Sequence, residues 1–280
     1  MSEYRDQSRT RWGRTASGWE AGAARFNREA MPVSLWMLDA IAPQPGHQVL
    51  ELSSGTGDTG LLAAELVQPG GTVTLSDFVP EMLSAAQRQA EARGVANVRF
   101  RQIDAELPLD IEAASLDGVL SRFGYHLLEN PESALRETRR VLRPGGRVAL
   151  SAWTDPEDNP WAALPVRALV ARGLLEPGDP DAPGQFAWAE PQRIEEHLDA
   201  AGFVEHAIDT VAFLQHYPSV EAWWEAQASR SMRTGDAAEG LDTETRASVL
   251  DELATAVAGW TAPDGSLALP SQTWVAWAEG

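Results

Sequence analysis

Three carboxylates and a glycine turn recur at spacings that could build one binding crevice in this 280-residue chain. Residues 49–60 read Val-Leu-Glu-Leu-Ser-Ser-Gly-Thr-Gly-Asp-Thr-Gly. An apolar strand reaches Glu51, a turn carries Gly55 and Gly57, and a helix opens at Asp58. The spacing Gly55-x-Gly57-x-x-Gly60 also fits a dinucleotide fingerprint, which alone is a weak signal. A pyrophosphate would be drawn to the free N–H groups at the start of that helix. Glu51 and Asp58 would repel it, and they suit a ligand bearing an ammonium and a sulfonium. Asp77 ends the next strand, one helix and one strand after Gly57, where a carboxylate can accept both hydroxyls of a ribose. Phe78 follows it and can lie against a purine face. Asp104 ends a third strand, one helix and one strand further on; its carboxylate can take an adenine amino group while the Ala105 N–H faces a ring nitrogen. Open α/β sheets bind ligands in the crevice at the carboxyl ends of their strands, and all three acids fall there.

Composition narrows the chemistry. The chain has no cysteine, so disulfides, thiolate nucleophiles and cysteine metal sites are excluded. Its 22 basic residues are all arginine, so no lysine Schiff base or P-loop lysine exists. Net charge is -19 and the pI is near 4.6, which argues against nucleic acid and anionic membrane surfaces as partners. No apolar run is long enough to span a membrane and the stretch Met1 to Glu20 lacks a signal-like apolar core, so a cytoplasmic protein without membrane insertion is expected. His47, His197, His206 and His216 show no metal-ligand spacing and read as structural or surface residues; no metal site is expected.

The elements that must position the acids follow from periodicity. Residues 1–46 read as a helical N-terminal lid, with Trp12, Trp19, Phe26 and Trp36 recurring along it. From 47 onward strands and helices alternate: strands at 47–52, 72–76, 97–103, 116–121 and 147–153, helices at 58–67, 80–93 and 131–142. Alternation at this pitch predicts βαβ units and a parallel sheet. Residues 155–185 carry six prolines and cannot form one continuous helix; they read as a cap segment. A helix is expected over 190–200, a strand over 203–213, helices over 218–260, and a last strand over 272–278. A second cap segment is expected near 213–270, and 47–280 is taken as one binding domain with both caps. Seven acids between Asp236 and Asp264, against Arg246 alone, read as a solvated helical face.

These motifs resemble the class I S-adenosylmethionine-dependent methyltransferases, and within them the ubiquinone/menaquinone-type small-molecule subgroup. The likeness rests on Val49–Gly57, on Ser76-Asp77-Phe78-Val79-Pro80-Glu81-Met82-Leu83, on Ile103-Asp104-Ala105-Glu106, on Leu116–Phe123, and on Arg139-Arg140-Val141-Leu142-Arg143-Pro144-Gly145-Gly146-Arg147. It is tight over 47–153 and loose over 186–212 and 271–280. Ser53-Ser54 departs from the Gly-Cys or Gly-Ser pair usual before the first glycine. The resemblance implies a doubly wound, Rossmann-like α/β sheet of seven strands, six parallel and the last antiparallel and inserted beside the fifth. It implies S-adenosylmethionine as cofactor. Glu51, Ser53, Gly55 and Gly57 would hold its methionine end, Asp77 the ribose, Asp104 and Ala105 the adenine, with Ser121 and Arg122 near the sulfonium; Phe78 and Met82 complete the expected cofactor-binding set.

Methyl transfer needs alignment and desolvation more than acid–base help. Where a base is needed, His126 and Tyr125 just past the fourth strand are the catalytic candidates, each with a packing role as the alternative. Trp19, Tyr125 and Trp161 are candidates for an apolar acceptor pocket. The expected partner is a small methyl acceptor, apolar or aromatic, of the kind met in secondary metabolism; a homodimer is the one assembly considered. Two other readings share the sheet: a cofactor-binding protein with a cyclase-like or scaffold role, and an NAD-dependent oxidoreductase.

Overall fold

The computed structural model describes residues 3–179 and 181–280; Met1 and Ser2 of the expected lid and Pro180 of the first cap segment lie outside them. Seven strands, β1 (Gln48–Glu51), β2 (Thr72–Asp77), β3 (Val98–Gln102), β4 (Leu116–Arg122), β5 (Leu142–Trp153), β6 (Glu205–Tyr217) and β7 (Leu267–Glu279), form one sheet in the order β3-β2-β1-β4-β5-β7-β6. β7 runs antiparallel to both β5 and β6, and every other pairing is parallel. The sheet is thus doubly wound with a reversed last strand, lodged beside the fifth. Its strand order turns back between β1 and β4, the position at which such sheets open a ligand crevice.

Apolar alternation sets the layers. Val49, Val73, Leu75 and Leu120 face a core shared with helices α2 (Met31–Ile41), α3 (Asp58–Leu66) and α4 (Pro80–Arg93). Leu50, Leu52, Val119, Val148 and Leu150 face the opposite core under α5 (Pro131–Val141) and α7 (Pro191–Ala200). Each of these fully buried side chains contributes roughly 1.5–3 kcal/mol. The register Glu51↔Leu75 and Glu51↔Leu120 ends β1 two residues short of the ends of β2 and β4.

Helix α1 (Glu3–Glu29) buries few side chains, among them Ala16, Ala23 and Phe26, and it packs against α4, α8 (Val220–Arg230) and β6. Helices α8, α9 (Met232–Glu239) and α10 (Thr243–Ala256) fill most of the interval between β6 and β7. The seven acids from Asp236 to Asp264 are all exposed, as a solvated face requires.

Two local readings change. β6 runs past Phe213 to Tyr217, because Gln215 and Tyr217 still pair with Leu269 and Leu267 of a long β7. The proline-rich stretch contains a regular helix, α6 (Pro160–Ala171), despite Pro165 inside it. Pro165 has no N–H for the Trp161 carbonyl one turn back. That carbonyl accepts instead from the Trp223 indole N–H of α8 at 2.8 Å. The segment is thus not one continuous helix: Pro160 and Pro165 lie inside α6, Pro156 precedes it, and Pro177 and Pro183 follow it.

Candidate cofactor site

The glycine turn is fixed from below before it can hold anything. The Ser54 N–H donates to the Ser76 carbonyl at 2.9 Å, and the Ser76 hydroxyl donates to the Glu51 carbonyl at 2.7 Å. The Gly55 N–H donates to Asp77 Oδ2 at 2.9 Å and the Val79 N–H to Asp77 Oδ1 at 3.0 Å, so one carboxylate joins the turn after β1 to the turn after β2. Glu51 reaches the start of α3, where Gly60 N–H donates to its Oε2 at 2.9 Å. Gly60 is required by this approach: a Cβ there would stand 2.2 Å from Leu75 Cδ2 and 2.5 Å from Glu51 Oε2.

Burial dominates the electrostatics. Glu51 is 2 % exposed, and loss of solvent pushes its carboxyl up to about 8 against the pull of Arg122 and Gly60. Asp77 is pushed up to about 6 by the same cause, against the hydrogen bonds from Val79 and Gly55. Both acids favour a positively charged ligand, which would restore their ionised forms. Asp104 closes the row: its Oδ1 accepts the Glu106 N–H at 3.0 Å, and Oδ2 lies 3.5 Å from the Arg5 guanidinium of α1.

A narrow cleft of about 450 Å³, counting its solvent-open mouth, runs past the Asp104 end of this row; Glu51, Gly55, Gly57, Asp77 and Met82 lie behind its walls and do not line it. Ser53, Phe78, Asp104 and Ala105 line it, as does Gly124. Across from them stand Tyr4, Arg5, Ser8 and Trp12 of α1, which sequence reasoning did not place in a site. The signal was available: Tyr4, Ser8 and Trp12 recur every fourth residue and so share a helix face. Met82 sits behind Phe78, packed with Val79 and with Ala16 of α1. Two adjacent strand ends carry strained backbone: Ser53 has φ +53° and Phe123 φ +61°. Left-handed non-glycine residues of this kind cost on the order of 1–3 kcal/mol and collect at functional sites.

Other expected site residues lie elsewhere. Ser121 is buried beneath Gly124 and does not line the cleft. Arg122 turns away from it, donating to Ser34 Oγ at 3.0 Å and Asn27 Oδ1 at 2.9 Å, 3.6 Å from Asp58. Asp58 also faces Arg93 at 3.5 Å. Its charge is therefore matched within the protein, and burial leaves Glu51 largely protonated near neutrality, so neither acid repels a pyrophosphate in the way the spacing alone suggests. Tyr125 and His126 face the α5–α7 core. The Tyr125 hydroxyl shares a 2.6 Å hydrogen bond with Thr138, and burial raises its pKa. His126 is buried beside Trp188, and loss of solvent lowers its pKa to about 3. A ring that cannot gain a proton near neutrality, and does not line the cleft, gives the proposed base no geometric support.

Trp19 and Trp161 do not line the cleft either; they belong to an aromatic row beside it. Trp12, Trp19, Phe26 and Phe123 follow at centroid spacings of 6.2, 5.7 and 6.2 Å. Phe123 then stacks on Trp153 at 4.2 Å, and Trp153 meets Trp161 edge-on at 4.8 Å. The Trp161 indole donates to Asn159 Oδ1 at 3.2 Å.

The donor set fits S-adenosylmethionine on one further observation. The Ser54 hydroxyl is buried in the turn without a hydrogen-bond partner, beside the acids that would face the sulfonium and ribose.

Comparison with known proteins agrees with this geometry. Residues 43–166 match the family described as "Methyltransferase domain". The demethylmenaquinone methyltransferase of Thermus thermophilus is 42 % identical over 132 residues, 47 % of this chain and 56 % of that protein. The nocamycin O-methyltransferase of Saccharothrix syringae is 31 % identical over 201 residues, 69 % of this chain and 70 % of that protein. The solved structure of the [4+2]-cyclase SpnF shares the fold with a TM-score of 0.56 at 20 % identity, covering 89 % of this chain and 81 % of that one. The chain belongs to the class I S-adenosylmethionine-dependent methyltransferases, a membership that sets the NAD-dependent reading aside. Within that family it is similar to the menaquinone and ubiquinone methyltransferases.

Proposed function

We propose that this protein transfers a methyl group from S-adenosylmethionine to a small, flat, largely apolar acceptor held beside the aromatic row. The single observation that carries the reading is the trio of acids, Glu51, Asp77 and Asp104, at the ends of three neighbouring parallel strands around one glycine turn. Bound there, S-adenosylmethionine would supply an electrophilic methyl group for transfer to the acceptor's electron pair, with S-adenosylhomocysteine as the leaving group. Glu51 and the turn hold the cationic end, Asp77 accepts the ribose hydroxyls, and Asp104 with Ala105 meets the adenine against Phe78. Met82 braces Phe78 from behind. Ser53 and the backbone of Gly55 and Gly57 shape the turn. Trp19 and Trp161 wall the acceptor side without touching the cofactor.

The segment 1–46 acts as a lid over this cleft, and the residues near 155–185 and 213–270 cap the acceptor side. Closure by α1 excludes water, which is what an in-line displacement with a good leaving group asks of a protein. A cyclase-like or scaffold role shares the cofactor site and differs in turnover. Calorimetric titration with S-adenosylmethionine tests the site, and release of S-adenosylhomocysteine in the presence of an acceptor tests turnover. Absence of binding at millimolar cofactor would overturn the reading.

A further inference from the structure

Beneath α1 lies a buried cation that the cofactor site does not use. Arg230 is 7 % exposed and stands at the end of α8, where Gly18 and Gly22 let α1 press close. A Cβ on Gly18 would meet the Ser229 carbonyl oxygen at 2.3 Å, and one on Gly22 would meet the Arg230 guanidinium at 3.5 Å. The guanidinium lies 5.4 Å from the Trp19 ring. Its Nε donates to the Ala226 carbonyl at 3.1 Å, but one terminal nitrogen is buried with no hydrogen-bond partner. The Trp19 indole nitrogen is likewise buried and without a partner. Among the described residues no carboxylate lies within ion-pair distance of Arg230; Glu29, engaged by Arg25 at 3.1 Å and by the His216 N–H at 2.9 Å, attracts it only from further off, and Arg25 repels it.

The surroundings are polar and already paired on their far side. Tyr217, whose hydroxyl faces the guanidinium, donates to Gln215 Oε1 at 2.9 Å, and Gln215 donates to Ser271 at 3.2 Å. A buried charge without a counter-ion costs several kcal/mol, and an orphaned buried donor about 1–3 kcal/mol. Two such donors, on a guanidinium and on the indole whose ring lies 5.4 Å from it, next to the row that leads from Trp19 through Phe26 to Phe123, describe a missing acceptor atom.

We infer that Arg230 and the Trp19 indole N–H bind an anionic oxygen of a planar, ring-bearing methyl acceptor, with the ring lying along the Trp19–Phe26–Phe123 row. This rests on the methyltransferase reading and names its substrate class: an aromatic or enolic acid rather than a neutral hydrocarbon. An anion held there would be oriented by a two-donor grip, and its ring would reach towards the strand ends where the cofactor binds.

The test uses the full chain saturated with S-adenosylhomocysteine, with 2-naphthoate and its neutral isostere 2-naphthamide as probes in calorimetric titration. The wild type should bind the anion about tenfold or more tightly than the amide, the scale of a hydrogen bond to a charged group. Arg230→Met should bring the two probes to within about twofold of each other. Arg230→Lys should keep part of the preference, and Trp19→Phe should reduce it. S-adenosylhomocysteine affinity should stay at the wild-type value in all three variants. Equal binding of both probes to the wild type, binding of neither, or a preference that survives Arg230→Met would overturn the inference. Failure of S-adenosylhomocysteine to bind the wild type would instead remove the methyltransferase reading. If Arg230→Met does not fold, the wild-type ratio and Arg230→Lys still decide.

Discussion

At the scale of single residues the site is governed by carboxylates held away from water. In the folded, ligand-free protein Glu51 titrates near 8 instead of 4.5 and Asp77 near 6 instead of 3.8. Between the unfolded and folded values the native state holds protons that the unfolded chain has released. Stability from these groups is therefore present below about pH 4 and is lost as pH rises through about 6 and then about 8. Melting temperature should fall across that window, and Glu51→Gln should flatten the upper part of the fall. Cofactor binding should run the other way: a cationic ligand favours the ionised acids, so uptake of S-adenosylmethionine should release protons, read as a buffer-dependent heat in calorimetry. Asp77→Ala should weaken cofactor binding by about 1.5–3 kcal/mol, the worth of hydrogen bonds to a charged group; unchanged affinity would reject its ribose role. These acids were legible in the sequence because strand ends and loop acids carry a short-range pattern. Arg122 was not: its partners Asn27 and Ser34 lie on helices far away in sequence, and only packing decides which way a side chain at a strand end turns. His126 shows the same limit: its chemical type offers a base or a packing role, and only the fold shows that the α5–α7 core withdraws it from water. His126→Ala should keep its methyl-transfer rate, and a loss of turnover with an intact fold would restore the base role.

At the scale of elements the decisive contacts are between α1 and the strand ends. The Tyr4 hydroxyl donates to the Leu127 carbonyl at 3.1 Å and Arg5 pairs with Asp104 at 3.5 Å, so the first turns of α1 grip the Asp104 end of the cleft. Under the proposed function, cofactor entry at this end would require those turns to lift. Arg5→Ala should accelerate S-adenosylmethionine association roughly two- to fivefold, the range for one partly solvated ion pair, as read by stopped-flow tryptophan fluorescence. The turn from β5 into α6 has its own anchor. Asn159 is fully buried; its amide donates to Thr154 Oγ1 and to the Asp155 and Gln272 carbonyls, and its oxygen accepts from Gln272 N–H and the Trp161 indole. Asn159→Ala should cost about 3 kcal/mol or more in chemical denaturation, because several of those groups would be left buried and unpaired. Helix and strand existence was readable from periodicity over 47–153. The extent of β6 and the continuity of α6 were not, because each depends on a partner, β7 or α8, that lies far along the chain.

At the scale of the whole molecule the reversed β7 joins two regions that periodicity treats as separate. It pairs with β5 from Thr273 to Glu279 and with β6 along its full length, so the cap helices between β6 and β7 are held at both ends by the same sheet that carries the cofactor acids. The doubly wound plan could be anticipated from alternating elements and from the family likeness; the grip of α1 and α8 on one another could not, since glycines at 18 and 22 signal nothing until a neighbour approaches. No helix among the described residues is long and apolar enough to cross a membrane. The proline in α6 ties the molecule together in one more way. Because the Trp161 carbonyl has exchanged an amide of its own helix for an indole on another, positions 165 and 223 share one acceptor. Changing Trp223 to Phe should orphan that oxygen; adding Pro165→Ala should supply an amide and repair part of the damage, a thermodynamic coupling of about 1 kcal/mol in a double-mutant cycle. An interruption in one helix is thereby turned into a rivet between two.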